Sequence, residues 1–444
     1  MELVPSARRT GDPSGGWLVP RRAGTIRPGT SPFPTSRRPL TCPPSRRHPH
    51  PEVRRSGSRS GPADRGEAPW LARLWANAFP GERSAADRLR ELEEGGGRFG
   101  GLETCWIGEA EGERVGALRS YPLRMALWGR DWDVQGLAAV AVAPSHRRRG
   151  LASALCAEGL RVGRRSGAAL SALYPFRVDF YARLGYTLAG ELHRYTVPPG
   201  AFPSFPESRQ VQEVPPAGSS ERLAPFYEGV RLRAHGLIER NAAMWRQVEG
   251  AADLAALVPG ERGELRGYLL ARSRPEGNPE RSTLQVVEHL SADHAAHRAL
   301  MGWLALHRDQ WGRVVIDALP GEHLEHLLSH PRRAGSRGVR SGGLWFQSAS
   351  LLRGPMLRIL DLEAVSGAVP TGDGVPVTVH DPILPENSGT WCVGPQAGPP
   401  TRAPLGIALV TELFLSGGLP GQRTAAAHWA PLLGIHDFRL LDTF

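Results

Sequence analysis

The sequence predicts an α+β protein, and three observations carry that expectation. Hydrophobic spacing switches between helix and strand periods within one block, the same order of elements recurs later, and Pro- or Gly-rich breaks separate the blocks. At 444 residues the chain has material for about three domains. Its 41% hydrophobic and 22% charged content is ordinary globular usage, while 53 Gly and 40 Pro point to loops and an unfolded stretch.

In the first block, Leu71, Leu74, Trp75, Ala78 and Phe79 share one helical stripe that stops at Pro80-Gly81, and a second helix is predicted over about 83–94. The period then becomes that of strands. Trp106–Glu109, Arg114–Leu118 and Leu137–Val142 read as a meander, followed by a helix from about Arg148 to Gly163. A buried strand at Ala168–Leu173 and a short helix at Phe180–Leu184 complete the block. After a Pro/Ser-rich linker at 197–220 the theme returns: helix to Gln247, strands Gly267–Ala271 and Leu284–Val287, helix Asp293–Asp309, strand Val314–Ile316. The Gly/Arg/Ser stretch Arg332–Gly343 introduces a third unit, with strands Met356–Leu360, Val375–Val379 and Gly389–Val393 and two late helices. The expected division is a tail at 1–66, then folded units at 67–200, 201–345 and 346–444.

The formal charge of +10 sits almost wholly in the tail, where 13 Arg face four acids, leaving about +1 for the folded body. No nucleic-acid role is expected of that body. With 12 Pro and only Trp17 and Phe33 as aromatics, the tail cannot bury enough apolar surface to offset its chain entropy, and it is read as disordered. The chain has no Lys, the usage of a GC-rich coding sequence, and such a tail is compatible with a translated leader upstream of the true start. Cys42, Cys105, Cys156 and Cys392 lie far apart without ligand spacing, which predicts neither a disulfide framework nor a structural zinc. No apolar run reaches the roughly 18–20 residues of a membrane helix, so a soluble cytoplasmic protein is expected. His323 and His326 beside Glu322 and Glu325 fit a solvated face, and no metal is expected. Without Lys a Walker phosphate loop is impossible, and no Gly-x-Ser-x-Gly elbow occurs.

The densest signal is the run from Leu137 to Ala152. A strand stops at Pro144, an Arg/Gly turn follows, and a helix starts at once. Successive main-chain N–H groups at a helix start, with the positive dipole end behind them, make a pyrophosphate site, and Gly150 leaves room for a phosphate to approach. Downstream, Tyr181 stands on a short helix one strand later, in Phe180-Tyr181-Ala182-Arg183-Leu184-Gly185-Tyr186.

Arg147-x-x-Gly150-x-Ala152 matches the Arg/Gln-x-x-Gly-x-Gly/Ala motif of acyl-CoA acetyltransferases, and residues 70–200 resemble the GNAT superfamily of N-acetyltransferases. More narrowly, Val140-Ala-Val142, His146–Gly150 and Leu173–Phe176 with Phe180–Tyr186, followed by a second GNAT-like block and a terminal unit, resemble the Eis-type (enhanced intracellular survival) acetyltransferases over 67–444. The resemblance implies two tandem GNAT-like domains, the second degenerate, and a sterol-carrier-protein-like α/β domain at the end. It implies acetyl-CoA as donor, a small or peptide primary amine as acceptor (aminoglycoside, polyamine or lysine-like), and a homo-oligomer, with a hexamer as the assembly it suggests. Val140, Ala141 and Val142 would pair with the pantetheine arm; Arg148, Arg149, Gly150, Leu151, Ala152 and Ser153 would hold the pyrophosphate. Phe176 and Arg177 fall at the remaining cofactor contact.

Amine attack on a thioester passes through an oxyanion that a strand N–H near Val142 can stabilise, and a neutral phenol can protonate the departing thiolate. Tyr181 is the family's acid. The family's base is the α-carboxylate of the last residue, here Phe444, with Asp442 as the fallback base or cation-binding acid. In the second block the turn is His289-Leu-Ser291-Ala-Asp293, with no Arg-x-x-Gly; Asp293 would repel a phosphate, and Ser291 or Asp293 would cap the helix. A protein that binds acyl-CoA or amines as a non-catalytic sensor is the alternative function.

Overall fold

The structure, a computed structural model, describes residues 58–81, 83–94, 98–336, 338–340, 344–368, 375–393, 404–416 and 442. Most of the expected tail, residues 1–57, lies outside the described residues. Its end does not behave as a tail: β1 (Ser58–Pro62) pairs antiparallel with β2 (Cys105–Ala110) from Ser58↔Ala110 to Pro62↔Trp106. Composition missed this because a ladder on a free sheet edge is held by main-chain groups and needs no apolar side chains.

The first sheet continues with β3 (Glu113–Leu127), β4 (Arg130–Val142), β5 (Leu170–Leu173) and β6 (Thr187–Leu188). The second is built from β7 (Glu191–Val197), β8 (Gln212–Val214), β9 (Leu254–Pro259), β10 (Leu265–Arg274), β11 (Thr283–Ser291) and β12 (Arg313–Ala318). A small pair, β13 (Val339–Arg340) and β14 (Leu344–Trp345), precedes β15 (Ala349–Arg353) and β16 (Met356–Ile359). Last comes a three-stranded sheet of β17 (Val375–His380), β18 (Gly389–Val393) and β19 (Leu405–Gly406). The helices are α1 (Ala68–Ala78), α2 (Ala85–Glu93), α3 (Leu151–Arg165), α4 (Val178–Ala182), α5 (Ser220–Arg231), α6 (Ala242–Gly250), α7 (His294–Ala305), α8 (Leu324–Leu327), α9 (Leu362–Ala368) and α10 (Ile407–Ser416).

Strand order shows the two blocks to be equivalent. The first sheet runs β1-β2-β3-β4-β5-β16-β6 and the second, read from its other edge, β8-β9-β10-β11-β12-β7-β15. Each has one parallel pair at the same place, β4 with β5 and β11 with β12. The sixth position is exchanged: β7, from the end of the first block, pairs with β12, while β16 inserts between β5 and β6. The chains cross where Ala189 N–H donates to Pro355 O at 2.9 Å and Gly354 N–H donates to Gly190 O at 3.0 Å. Strand Met356–Ile359, expected in the third unit, and strand Ala349–Arg353, which the sequence pattern does not mark, therefore complete the first two sheets.

The third layer is tied to β16 by Arg358, fully buried, whose guanidinium donates to Asp381 at 2.6–2.7 Å and to the main-chain carbonyl of Leu184. Its side chain passes under Gly185, which has φ +90°; a Cβ there would come within 2.9 Å of the guanidinium and 2.6 Å of Ile407. The Leu184-Gly185-Tyr186 turn after α4 is thus shaped by a residue about 170 positions away. Ile407, Val410, Leu413 and Phe414 of α10 join Met125, Trp132 and Leu357 in one core.

Because each sheet borrows a strand, removing residues after 345 takes one strand from the middle of the first sheet and one from the edge of the second. Such a truncated chain is expected to lose the cooperative denaturant transition and slow amide exchange in both sheets. A native-like transition in the truncated protein would show that the exchange is dispensable.

Candidate active site

The parallel contact between β4 and β5 lasts only three residues, Val134↔Leu170 to Gly136↔Ala172, after which the strands diverge. On the β4 side a bulge lies opposite Leu118: Ala117 pairs with Ala141 and Arg119 with Ala138, so Ala139 and Val140 together face one residue of β3. Ala139 sits at φ +49°, a strained value for a residue with a Cβ, and its carbonyl accepts from Trp75 Nε1 at 2.7 Å. Trp75, expected only as a core residue, also pins the bulge. The gap between the strands is a cleft of about 670 Å³, walled by Leu137–Val140, Tyr174, Phe176 and Tyr181.

At the outer end of β4 the chain turns through Pro144–His146 into α3. Gly150 holds φ +79° at the helix N-cap, no side chain caps the helix, and a Cβ added there would meet nothing within 4 Å. The positive φ is the first reason for glycine here, and the open space above it is what a ligand would use. The opening amides of Leu151, Ala152 and Ser153 face outward with the dipole behind them. Arg147 folds back, its Nε donating to Val142 O at 3.1 Å, while Arg148 (φ +62°) and Arg149 are exposed.

Tyr181 is 4% exposed, between Phe176 (ring centroids 5.7 Å), Phe180 (4.9 Å) and Tyr186 (5.9 Å). Burial, followed by the nearby Cys156 thiol, pushes its pKa well above the usual phenol value, so the hydroxyl is neutral at physiological pH. Burial likewise pushes the Cys156 thiol up to about 12, leaving it an inert core residue. Phe176 is 70% exposed and forms the lip of the cleft.

The other expected site residues fall as follows. Val140 lines the cleft; Ala141 and Val142 are buried in the ladder with β3. Arg177 N-caps α4 and spends its guanidinium on Asp179 at 2.9–3.2 Å, at the surface rather than in the cleft. Phe444 lies outside the described residues. Asp442 is buried, held by Arg240 Nε at 3.0–3.1 Å; burial raises its pKa against the pull of that guanidinium. Arg240 also forks onto Glu288 at 2.6–3.0 Å and lies over the rings of Tyr227 (4.3 Å) and Trp245 (4.9 Å). This polar knot was not legible in sequence. It joins Asp442 to the second sheet, close enough to the cleft that Asp442 contributes, after burial, to raising the pKa of Tyr174.

The second block has the same elements but closes both binding features. Beyond Gln285↔Val315, where β11 leaves β12, His289 Nε2 meets Asp317 O at 3.1 Å and spans the gap. At the start of α7, Asp293 accepts from Ala296 N–H at 2.9 Å and from Arg266 at 2.7–3.0 Å. Partial burial works to raise its pKa, yet those hydrogen bonds hold it below the usual carboxylate value. The anion seat of α7 is thus filled by the chain's own carboxylate. Nearby, His323, Glu325 and His326 bring ligand atoms within 4.8 Å of one another at the surface, but Glu325 already accepts from Tyr195 Oη at 2.5 Å.

Arg240→Ala would remove the cation that the buried carboxylates Glu288 and Asp442 share. It is expected to cost about 3–5 kcal/mol in denaturant unfolding, and Arg240→Lys less. An unchanged midpoint would show that the knot does not hold the chain end.

Residues 62–189 match the model of an acetyltransferase (GNAT) domain, and residues 236–359 match a second acetyltransferase (GNAT) domain model. The chain is 33% identical over 255 residues to the N-acetyltransferase Eis of Mycobacterium bovis, which covers 53% of this chain; the chain spans about 60% of the length of that relative. Among solved structures, a GCN5-related N-acetyltransferase from Anabaena variabilis superposes with a TM-score of 0.70 at 20% identity, covering 87% of this chain and all of its own. Eis1 of Mycobacterium abscessus gives 0.68 at 20% identity with the same coverage. At that identity the superpositions speak for the fold. With paired GNAT modules, equivalent strand order in the two blocks and an open β4–β5 splay, the chain belongs to the GNAT superfamily and is similar to the Eis N-acetyltransferases.

Proposed function

We propose that the chain is an acetyl-CoA-dependent N-acetyltransferase working by direct attack of a primary amine in a ternary complex. One observation carries the reading: β4 leads directly into the uncapped start of α3 at Gly150, and the open splay between β4 and β5 is walled by Tyr181. Only the first block offers it. The second, with His289 across its gap and Asp293 on its helix, is a noncatalytic wall. The sterol-carrier likeness of the terminal layer belongs to the same proposal and concerns fold alone. So do the cytoplasmic setting and the homo-oligomer; no helix among the described residues is long and apolar enough to cross a membrane.

In this reading the main chain at Val140–Val142 pairs with the pantetheine arm, and Arg148 to Ser153 take the pyrophosphate. Phe176 lies against the arm; Arg177 is retained as a contact only if it leaves Asp179. The amine nitrogen bonds to the thioester carbonyl carbon, the carbonyl oxygen becomes an oxyanion, and main chain freed by the bulge donates to it. The C–S bond then breaks. The thiolate takes its proton from Tyr181, which its raised pKa keeps protonated at neutral pH, and the proton shed by the new amide nitrogen returns to the phenolate. The attacking ammonium must first lose a proton, and the Phe444 α-carboxylate is the proposed base. Asp442, two residues earlier and committed to Arg240, supports it by anchoring the chain end.

Purified protein given acetyl-CoA and a panel of amines should release free thiol. Measurable acetyl-CoA binding without release from any amine would favour the sensor alternative. Tyr181→Phe should lower kcat by about 10²–10⁴-fold with little change in acetyl-CoA affinity; unchanged kcat would remove Tyr181 from the mechanism. Extending the chain beyond Phe444 by a few residues should lower kcat while leaving the unfolding midpoint unchanged, and normal turnover in that protein would exclude the terminal carboxylate as base.

A further inference from the structure

The inner end of the cleft carries an unexpected charge. Arg83, Arg88, Arg98, Arg119 and Arg246 line it, against a single carboxylate, Glu91. Glu91 is already shared: Arg83 pairs with one of its oxygens and Arg119 Nη1 approaches the other at 3.3 Å. The lining residues thus carry a net of four positive charges. Counting Arg240 with both its carboxylates, Glu288 and Asp442, and the Phe444 carboxylate as well, still leaves two.

These cations do not belong to the pyrophosphate end. They come from α2 and the loops flanking it, from β3 and from α6, and they surround the aromatic walls Trp75, Phe79, Phe99 and Tyr121 beyond the splay, whereas the uncapped helix start lies at the outer end of β4. Some are structural: Arg119 is buried, donates to Gly100 O at 2.9 Å and lies 5.1 Å from the Tyr121 ring. Others, Arg83 and Arg246, are exposed. A polycation entering the inner end would meet net repulsion from its guanidiniums.

Resting on the acetyltransferase reading, we propose that the acceptor is a primary amine that also carries an anionic group, a carboxylate or a phosphate, on a body small or apolar enough to lie against the aromatic walls. The guanidiniums hold the anion by charge-assisted hydrogen bonds and turn the amine toward the thioester. The same positive field disfavours the ammonium form of the acceptor, which eases loss of the proton before attack.

The test uses the full chain, acetyl-CoA, thiol release and matched acceptors: phenylalanine against phenethylamine, O-phosphoethanolamine against ethanolamine, and spermidine as the polycation. At least one anionic amine is expected to exceed its neutral partner in kcat/KM by about tenfold or more, with spermidine poorest. The two pairs separate carboxylate from phosphate. Arg246→Glu, at an exposed position, should erase most of that preference through acceptor KM and leave the KM for acetyl-CoA nearly unchanged. Equal use of charged and neutral partners, preference for spermidine, or an equal rise in the acetyl-CoA KM would overturn the proposal. If no acceptor releases thiol, the acetyltransferase reading fails, and calorimetric titration in the presence of CoA decides the anion site alone. Binding of phenylalanine or O-phosphoethanolamine over its neutral partner upholds it; no difference in either pair overturns it.

Discussion

Two main-chain hydrogen bonds at the crossing of residues 189–190 with 354–355 fix how the chain is shared between its sheets. From that crossing β7 leaves for the second sheet and β16 for the first, so neither block holds its own sixth strand. A strand inserted between two others satisfies main-chain groups on both sides, and β16 adds a fully buried apolar set, Met356, Leu357 and Ile359. Stability of the two sheets is therefore one property of the molecule. The β4–β5 splay inherits it, because β5, one arm of the splay, is braced on its other side by β16.

Given that shared frame, the difference between the two blocks reduces to a few side chains. Both contain a parallel pair that diverges after three residues, and both send a helix back from the outer strand. In the first, alanines and Val140 leave the gap open and a glycine leaves the helix start bare. In the second, an imidazole reaches across and an aspartate sits on the amides. The fold alone does not confer a binding site; keeping the splay free of its own polar side chains does.

What sequence revealed, and what it did not, follows from how far apart the causes lie. The strand–turn–helix at 137–165 and the Asp293 cap are set by neighbours within a few residues, so the pattern of Pro144, Gly150 and Asp293 discloses them. The long β3–β4 hairpin reads in sequence as separate short strands because its turn is Trp128-Gly129, both at positive φ, rather than an Asn-Gly type. Strand exchange was invisible: alternation marks residues 356–359 as a strand but says nothing about which sheet receives it. The site was legible where it is local, at Val140, Gly150 and Tyr181, and opaque where it is assembled. Arg98, Arg119 and Arg246 come from three distant segments, and each alone reads as an ordinary surface or strand arginine.

That assembly bears on how the chemistry is arranged along the cleft. The outer end presents main-chain amides and a helix dipole, partial charges suited to a ligand that arrives with its own phosphates. The inner end presents full guanidinium charges held in place by Glu91, glycine carbonyls and aromatic faces. Between them lies the one stretch without formal charge, Leu137 to Val140 facing Tyr174, Phe176 and Tyr181. In the proposed reaction, an acyl group changing hands there would pass through an oxyanion in a region of low polarity, where a few oriented main-chain donors act most strongly and a neutral phenol keeps its proton. Under the proposed function, charge at both ends and its absence in the middle would align the two substrates while leaving the reacting carbon away from competing ions.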